Sequence, residues 1–254
     1  MTSTHAALPE NYHPQPGILQ GRIIAVTGAG DGIGRVAAKT FAQYGATVIL
    51  MGRTVQKLEM IYDEIEQAGY PQPAIFPINL EGAREKDYED LCQVLLDNFG
   101  QLDGLLHNAA DLGERTPISN YAADTWQRVM QINVNAPFMM TKALLPLLEK
   151  SADAHILFTG SSVGYQGRAF WGAYAASKAA QENLMQTLAQ EVEGISPIYI
   201  NSINPGATRT NMRAAAYPAE NPVTVKTAEE LMPFYLYLMG PDSTGVSGCQ
   251  FNYS

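Results

Sequence analysis

From about residue 20 onward, short apolar runs take turns with longer amphipathic segments. The runs that read as strands are RIIAVT (22–27), ATVILM (46–51), PAIFPIN (73–79), DGLLHN (103–108), AHILFTG (154–160), PIYINSIN (197–204) and a short one near 248–252. Between them, segments with helical periodicity fall at about 32–44, 54–68, 83–99, 122–149, 172–193 and 226–239. The longest strands are apolar on both faces, as a parallel sheet covered by helices requires. Seven strands alternating with six helices predict a doubly wound α/β fold. It would have a seven-stranded, mostly parallel sheet with helices on both faces, in a single domain over 19–254. Crossovers between parallel strands are right-handed, so the winding reverses at one place and leaves a ligand crevice at the carboxyl ends of the strands.

Two segments break the rhythm. Residues 1–18 are polar, contain Pro and carry no Lys or Arg, and are expected to form a flexible arm. ATRTNMRAAAYPAENPVTVKT (207–227) is too long for a tight turn and too rich in small residues for a core helix. It is expected to be a substrate lid over the crevice.

Composition narrows the classes. The 254 residues are 46% hydrophobic and 16% charged, which suits a globular protein with a large core. No apolar run approaches the roughly 20 residues that span a bilayer, so a soluble, cytoplasmic protein is expected, with no membrane partner. The net charge is −9 and the Lys and Arg residues are scattered, so nothing builds the basic stripe that nucleic acids require. Cys92 and Cys249 are the only cysteines and read as plain thiols in a reducing compartment. His5, His13, His107 and His155 show no metal-ligand spacing, and no metal site is expected.

Directly after the first strand comes TGAGDGIGR (27–35), which opens a helix. Glycine is needed in such a turn because a side chain would block the bend, the approach of a pyrophosphate, or the packing of helix on strand. Free N–H groups and the positive end of the helix dipole then hold phosphates. The spacing Gly28-x-x-x-Gly32-x-Gly34 departs from the G-x-G-x-x-G fingerprint, and a glycine cluster alone also fits an ordinary turn. Its position between strand one and a helix points to a dinucleotide.

The stretch GSSVGYQGRAFWGAYAASK (160–178) contains two patterns. Its left end spells G-x-S-x-G, which would make Ser162 a hydrolase nucleophile. That reading fails, because a catalytic His should follow the Ser and acid along the chain and none occurs after His155. At the right end Tyr174 and Lys178 are four residues apart, on one face of a helix. A tyrosine with pKa near 10 needs a drop of roughly 3 units, about 4 kcal/mol, to exchange protons near neutral pH. A Lys⁺ about 4 Å away at an effective dielectric near 20 supplies on the order of 4 kcal/mol.

The T-G-x-x-x-G-x-G turn, together with Tyr174-x-x-x-Lys178, resembles the short-chain dehydrogenase/reductase family, including its bacterial ketoacyl-reductase-like oxidoreductases, over about residues 20–252. The resemblance implies a Rossmann fold with a nicotinamide cofactor across the carboxyl edge of the sheet. Ser161 matches the serine of the family's S-x12-Y-x3-K signature, and the S-x-V-G register favours it over Ser162. Asn133, in QINVNAPF, aligns with the family's active-site asparagine, which would fix a backbone kink and a water. The catalytic set implied is therefore Ser161, Tyr174, Lys178 and Asn133. Residues implied to bind cofactor are Gly28, Asp31, Gly32, Ile33, Gly34, Arg53, Asn79, Leu80, Asn108 and Ala109. Tyr174 and Lys178 belong here too, as do Pro205, Gly206, Thr208 and Thr210 of INPGATRT.

After strand two, where NAD-preferring members place an acid, the chain reads MGRT, so Arg53 implies NADP(H) over NAD(H). Three positions depart from the pattern. Asp31 places an anion between the glycines, Asn79 replaces a common Asp, and His107-Asn108-Ala109-Ala110 replaces N-N-A-G, with His107 expected as a packed strand-end residue.

The implied activity is NADP(H)-dependent interconversion of a carbonyl and a secondary alcohol, with Tyr174 as general acid/base. Two alternatives are a reductase of carrier-bound 3-oxoacyl thioesters, aided by Arg168, Arg209 or Arg213, and a non-catalytic NADP-binding sensor. Tyr165, Gln166, Arg168, Phe170 and Trp171 are expected to face a small-molecule substrate. The long helices 122–149 and 172–193 are expected to pack across two-fold axes in a homodimer or homotetramer.

Overall fold

The computed structural model describes residues 5–9 and 11–253. Its sheet is built from β1 (His5–Ala6), β2 (Ile23–Thr27), β3 (Thr47–Gly52), β4 (Ala74–Pro77), β5 (Gly104–His107), β6 (Ala154–Thr159), β7 (Ile198–Asn204) and β8 (Gln250–Asn252). The strand order is β1-β8-β7-β6-β5-β2-β3-β4, and every pairing is parallel. The seven expected strands are all present. Winding reverses between β2 and β5, which places the crevice at the carboxyl ends of those two strands.

Alternation along each strand feeds two cores. Ile24 and Val26 of β2, and Val48 and Leu50 of β3, face a cluster built with α1 (Gly32–Gln43), α2 (Val55–Gln67) and α9 (Met232–Met239). Ala25, Ile49 and Met51 face the other cluster, built with α3 (Glu85–Phe99), α5 (Ala136–Leu148) and α7 (Gly172–Val192). Both faces are covered, so the all-apolar strands lose no hydrogen bonds and expose no apolar face.

Within the segment expected as an arm, 1–18, His5 and Ala6 pair with Gln250 and Phe251 as an eighth, edge strand, and Tyr12 Oη donates to Asp242 at 3.0 Å; residues 1–4 and 10 of it lie outside the described residues. One expectation is corrected: the helix expected over 122–149 holds a wide turn in its middle. Between α4 (Ala123–Met130) and α5, residues Gln131–Asn135 open so that Ala136 N–H donates to Gln131 O, five residues back. Such turns arise where a side chain is needed out of helical register, often at functional sites. The 207–227 segment folds into a short surface helix α8 (Asn211–Ala216) and a single 3₁₀ turn, Pro222–Thr224.

Candidate active site

At the carboxyl ends of β2 and β5, Thr27 ties the two strands together. Its Oγ1 donates to Leu106 O and accepts from the N–H groups of Asn108 and Ala109, at 2.9 and 3.1 Å. Gly28 follows in the left-handed region (φ 69°), where a Cβ would stand 3.1 Å from Ala109 Cα. Gly34, in the first turn of α1, admits no side chain either: a Cβ there would lie 2.3 Å from Gly28 O. These glycines keep the helix end and its free N–H groups open to a groove of about 770 Å³.

The groove gathers most of the expected residues. Gly28, Asp31, Gly32, Ile33, Arg53, Asn79, Leu80, Asn108, Ala109, Pro205, Gly206, Thr208 and Thr210 line it, and so do Ser161, Tyr174 and Lys178. Gly34 and Asn133 sit behind the wall. Ser162 is not part of the lining; it opens the short helix α6 (Ser162–Tyr165), while Ser161 at its cap faces the groove. Asn133 is fully buried in the wide turn and clamps the chain after β5. Its Oδ1 accepts from Asp111 N–H, and its Nδ2 donates to Asp111 O and Ser177 Oγ, all within 2.9 Å. His107 is packed, as expected: its Nε2 meets Thr141 Oγ1 at 2.8 Å, its ring stacks on Phe158, and burial holds it neutral with pKa lowered to about 3.

Comparison with known proteins agrees with this arrangement: the family model for short chain dehydrogenases matches residues 22–221. The chain belongs to the short-chain dehydrogenase family. The uncharacterized oxidoreductase YciK of Escherichia coli is 50% identical over 242 residues, 95% of each chain. A short chain dehydrogenase structure from Pseudomonas syringae is 55% identical with a TM-score of 0.94, covering 95% of this chain and 98% of its own. A Shigella flexneri relative solved in complex with NADP is 51% identical with a TM-score of 0.91, covering 94% of this chain and 99% of its own. The protein is an oxidoreductase of this family acting on small molecules, and among its described residues no helix is long and apolar enough to cross a membrane.

The electrostatics of this short-chain dehydrogenase differ from the simple Tyr–Lys arithmetic. Burial pushes Tyr174 up to about 12, opposed by the Ser161 hydroxyl, and pulls Lys178 down to about 8, opposed by Glu182. Lys178 Nζ donates to Thr159 O (2.7 Å) and Gln181 Oε1 (2.9 Å), and lies 5.7 Å from the centre of the Tyr174 ring. Desolvation therefore outweighs the pairing that the spacing suggested.

Asp31 is also compensated. Its carboxylate accepts from Gly32 N–H at 2.7 Å, from Lys57 Nζ at 2.7 Å and from Asn211 Nδ2 of α8 at 3.0 Å, and with Lys57 its strongest partner it is held below the usual carboxylate range. Sequence reasoning missed Lys57, which lines the groove beside Arg53; one turn into a helix, it looks like any solvated lysine. It also misplaced the substrate wall. Of residues 165–171 only Trp171 lines the groove, whereas Arg168 and Phe170 border a separate shallow pocket and Tyr165, exposed, reaches Glu182 Oε1 with its hydroxyl. Leu112, Met212, Ala216 and Tyr217 complete the wall.

Proposed function

We propose that this short-chain dehydrogenase interconverts a carbonyl compound and a secondary alcohol using NADP(H). The reading rests on one observation: Ser161, Tyr174 and Lys178 share a groove with an open, glycine-lined helix end. The residues present fit a dinucleotide, because the helix end after Gly28 lies open to the groove, with Gly32 and Ile33 in its lining, and its N–H groups suit phosphate. When bound, the nicotinamide supplies or accepts the hydride.

In reduction, Ser161 would hold the carbonyl oxygen by a hydrogen bond while Tyr174 gives it a proton from Oη. Lys178 would bind the nicotinamide ribose and place a positive charge where tyrosinate character develops. Asn133 holds the 111 segment and, through Ser177, the α7 turn beneath Tyr174. Arg53, exposed at the adenine end with Lys57 beside it, would take a 2′-phosphate and so favour NADP(H); the complex of the Shigella relative with NADP supports this. A carrier-bound substrate gains no support, since Arg213 pairs with Glu220 and Arg209 donates to Val225 O. We also propose self-association through the long helices, where Phe138 of α5 is half exposed.

The test is a screen of NADPH oxidation over ketones, aldehydes, quinones and acyl thioesters, repeated with Tyr174→Phe. Turnover of every accepted substrate should fall by about 10²- to 10⁴-fold while NADPH still binds; undiminished turnover overturns the mechanism.

A further inference from the structure

The inner face of α7 is polar over two turns. Tyr174, Ser177, Lys178, Gln181 and Glu182 are each 9% exposed or less. The mechanism above uses the first three, and Gln181 receives the Lys178 ammonium; Glu182 has no assigned purpose. A carboxylate this deep costs stability unless something compensates its charge. Its Oε2 accepts from Ser202 Oγ of β7 at 2.6 Å and from Gln250 Nε2 of β8 at 2.9 Å, and its Oε1 accepts from Tyr165 Oη of α6 at 3.3 Å. Three neutral donors fix and solvate the anion without neutralising it.

Space has been kept for this group. A Cβ at Gly160 would stand 2.3 Å from Glu182 Oε1, although Gly160 has no left-handed backbone that would itself demand glycine. Three successive residues, the last of β6 and the two that follow it, thus meet two functional groups and the groove. Thr159 O takes the Lys178 ammonium, Gly160 leaves room for the Glu182 carboxylate, and Ser161 faces the groove. Lys178 lies four residues before Glu182 on the same face, about 6 Å along the axis.

We propose that Glu182 is a positioning residue, the buried counter-ion of Lys178, locked in place by β7, β8 and α6. The inference rests on the role proposed for Lys178. The groups facing Lys178 are Tyr174, Gln181 and Glu182 on α7, Thr159 O at the end of β6, and neutral His107 on β5. Those facing Glu182 are Tyr165, Ser202, Gln250 and Lys178. The carboxylate is the charge that opposes the downward pull of burial on Lys178. Without it the ammonium releases its proton at lower pH, and activity that needs Lys178⁺ is lost at lower pH as well.

The experiment compares the pH profile of NADPH-dependent reduction for wild type, Glu182→Gln and Ser202→Ala. It also follows the Lys178 Nζ titration by NMR of lysine-labelled protein, with Lys178→Met to assign the signal. In Glu182→Gln the alkaline limb and the Nζ titration should both move down by about one unit from about 8, so that the ratio of rates at pH 8 and pH 6 falls about fivefold. Ser202→Ala, which removes the shortest donor and leaves the carboxylate in place, should move both in the same direction by less. A uniform loss of rate with unmoved limb and titration, in both variants, overturns the counter-ion role and leaves a structural one. The NMR titration does not depend on catalysis. If Tyr174→Phe retained turnover while the Nζ signal still moved, the mechanism would fail and the counter-ion would stand.

Discussion

At Gly34, a residue inside the glycine turn, one methyl group is enough to oppose the site. A Cβ there meets a backbone carbonyl oxygen, which cannot yield as a side chain end would. Gly34→Ala should cost about 1–3 kcal/mol in stability and weaken NADPH binding with it, measured by thermal melting and fluorescence titration. Arg53→Ala should weaken NADPH binding by roughly tenfold or more and leave NADH nearly unchanged, a comparison that titration of both cofactors settles. Both residues were legible in the sequence, because glycine spacing and a cation after strand two are local patterns. Lys57 and Glu182 were not, since each acquires its meaning from a partner brought near by folding: Asp31 for one, Lys178 and Gly160 for the other. The lowering expected for Tyr174 failed for the same reason, since burial pushes it up. Spacing along a helix reports which side chains are neighbours, while desolvation depends on everything packed around them.

At the scale of elements, strands and helices were read to within a few residues, because their periodicity is long and regular. Irregular pieces were harder to read. The wide turn at Gln131–Asn135 leaves no mark in a helical pattern, yet it is what delivers Asn133 to Asp111. The 207–227 segment shows the same limit. Tyr217, at the end of α8, is held by the Arg115 guanidinium, which lies 4.9 Å from its ring centre and 4.7 Å from that of Trp171. Arg115 also donates to Ala216 O, so it pins the end of α8 to the wall beside Tyr174. Cation–π contacts of this kind are worth about 0.5–2 kcal/mol. Arg115→Ala should therefore raise substrate KM by roughly threefold to thirtyfold with a smaller change in kcat, and shift the emission of Trp171. Unchanged kinetics and emission would mean that α8 is held elsewhere.

For the whole molecule, acid stability follows from two buried imidazoles. His107 and His155 are both held neutral, the first with pKa lowered to about 3 and the second lowered chiefly by burial, and the ordinary value is near 6.5. The unfolded chain takes up protons below pH 6.5 while the folded one refuses them. Stability is therefore full above that pH and declines as pH falls, by up to about 1.4 kcal/mol per pH unit for each histidine. Urea midpoints measured from pH 7 to pH 5 should fall along this slope, and His107→Gln should flatten it by about one proton. A slope equal in the variant and the wild type would show that His107 takes up a proton without unfolding.

The pairing of β1 with β8 has a consequence for the order in which the protein is made. Residues 5 and 6 leave the ribosome first among the described strands, but their partners at 250 and 251 follow 245 residues later. At 5–20 residues per second that is a wait of roughly ten to fifty seconds. Through that interval the leading segment has no neighbour to dock on, while β2 to β7 can already assemble around the glycine turn. The edge strand is thus the last to be stitched and, holding by only two residues, the first expected to come undone. Pulse-labelled hydrogen exchange on nascent and mature chains should find Ala6 protected after the β2–β3 ladder and released before it.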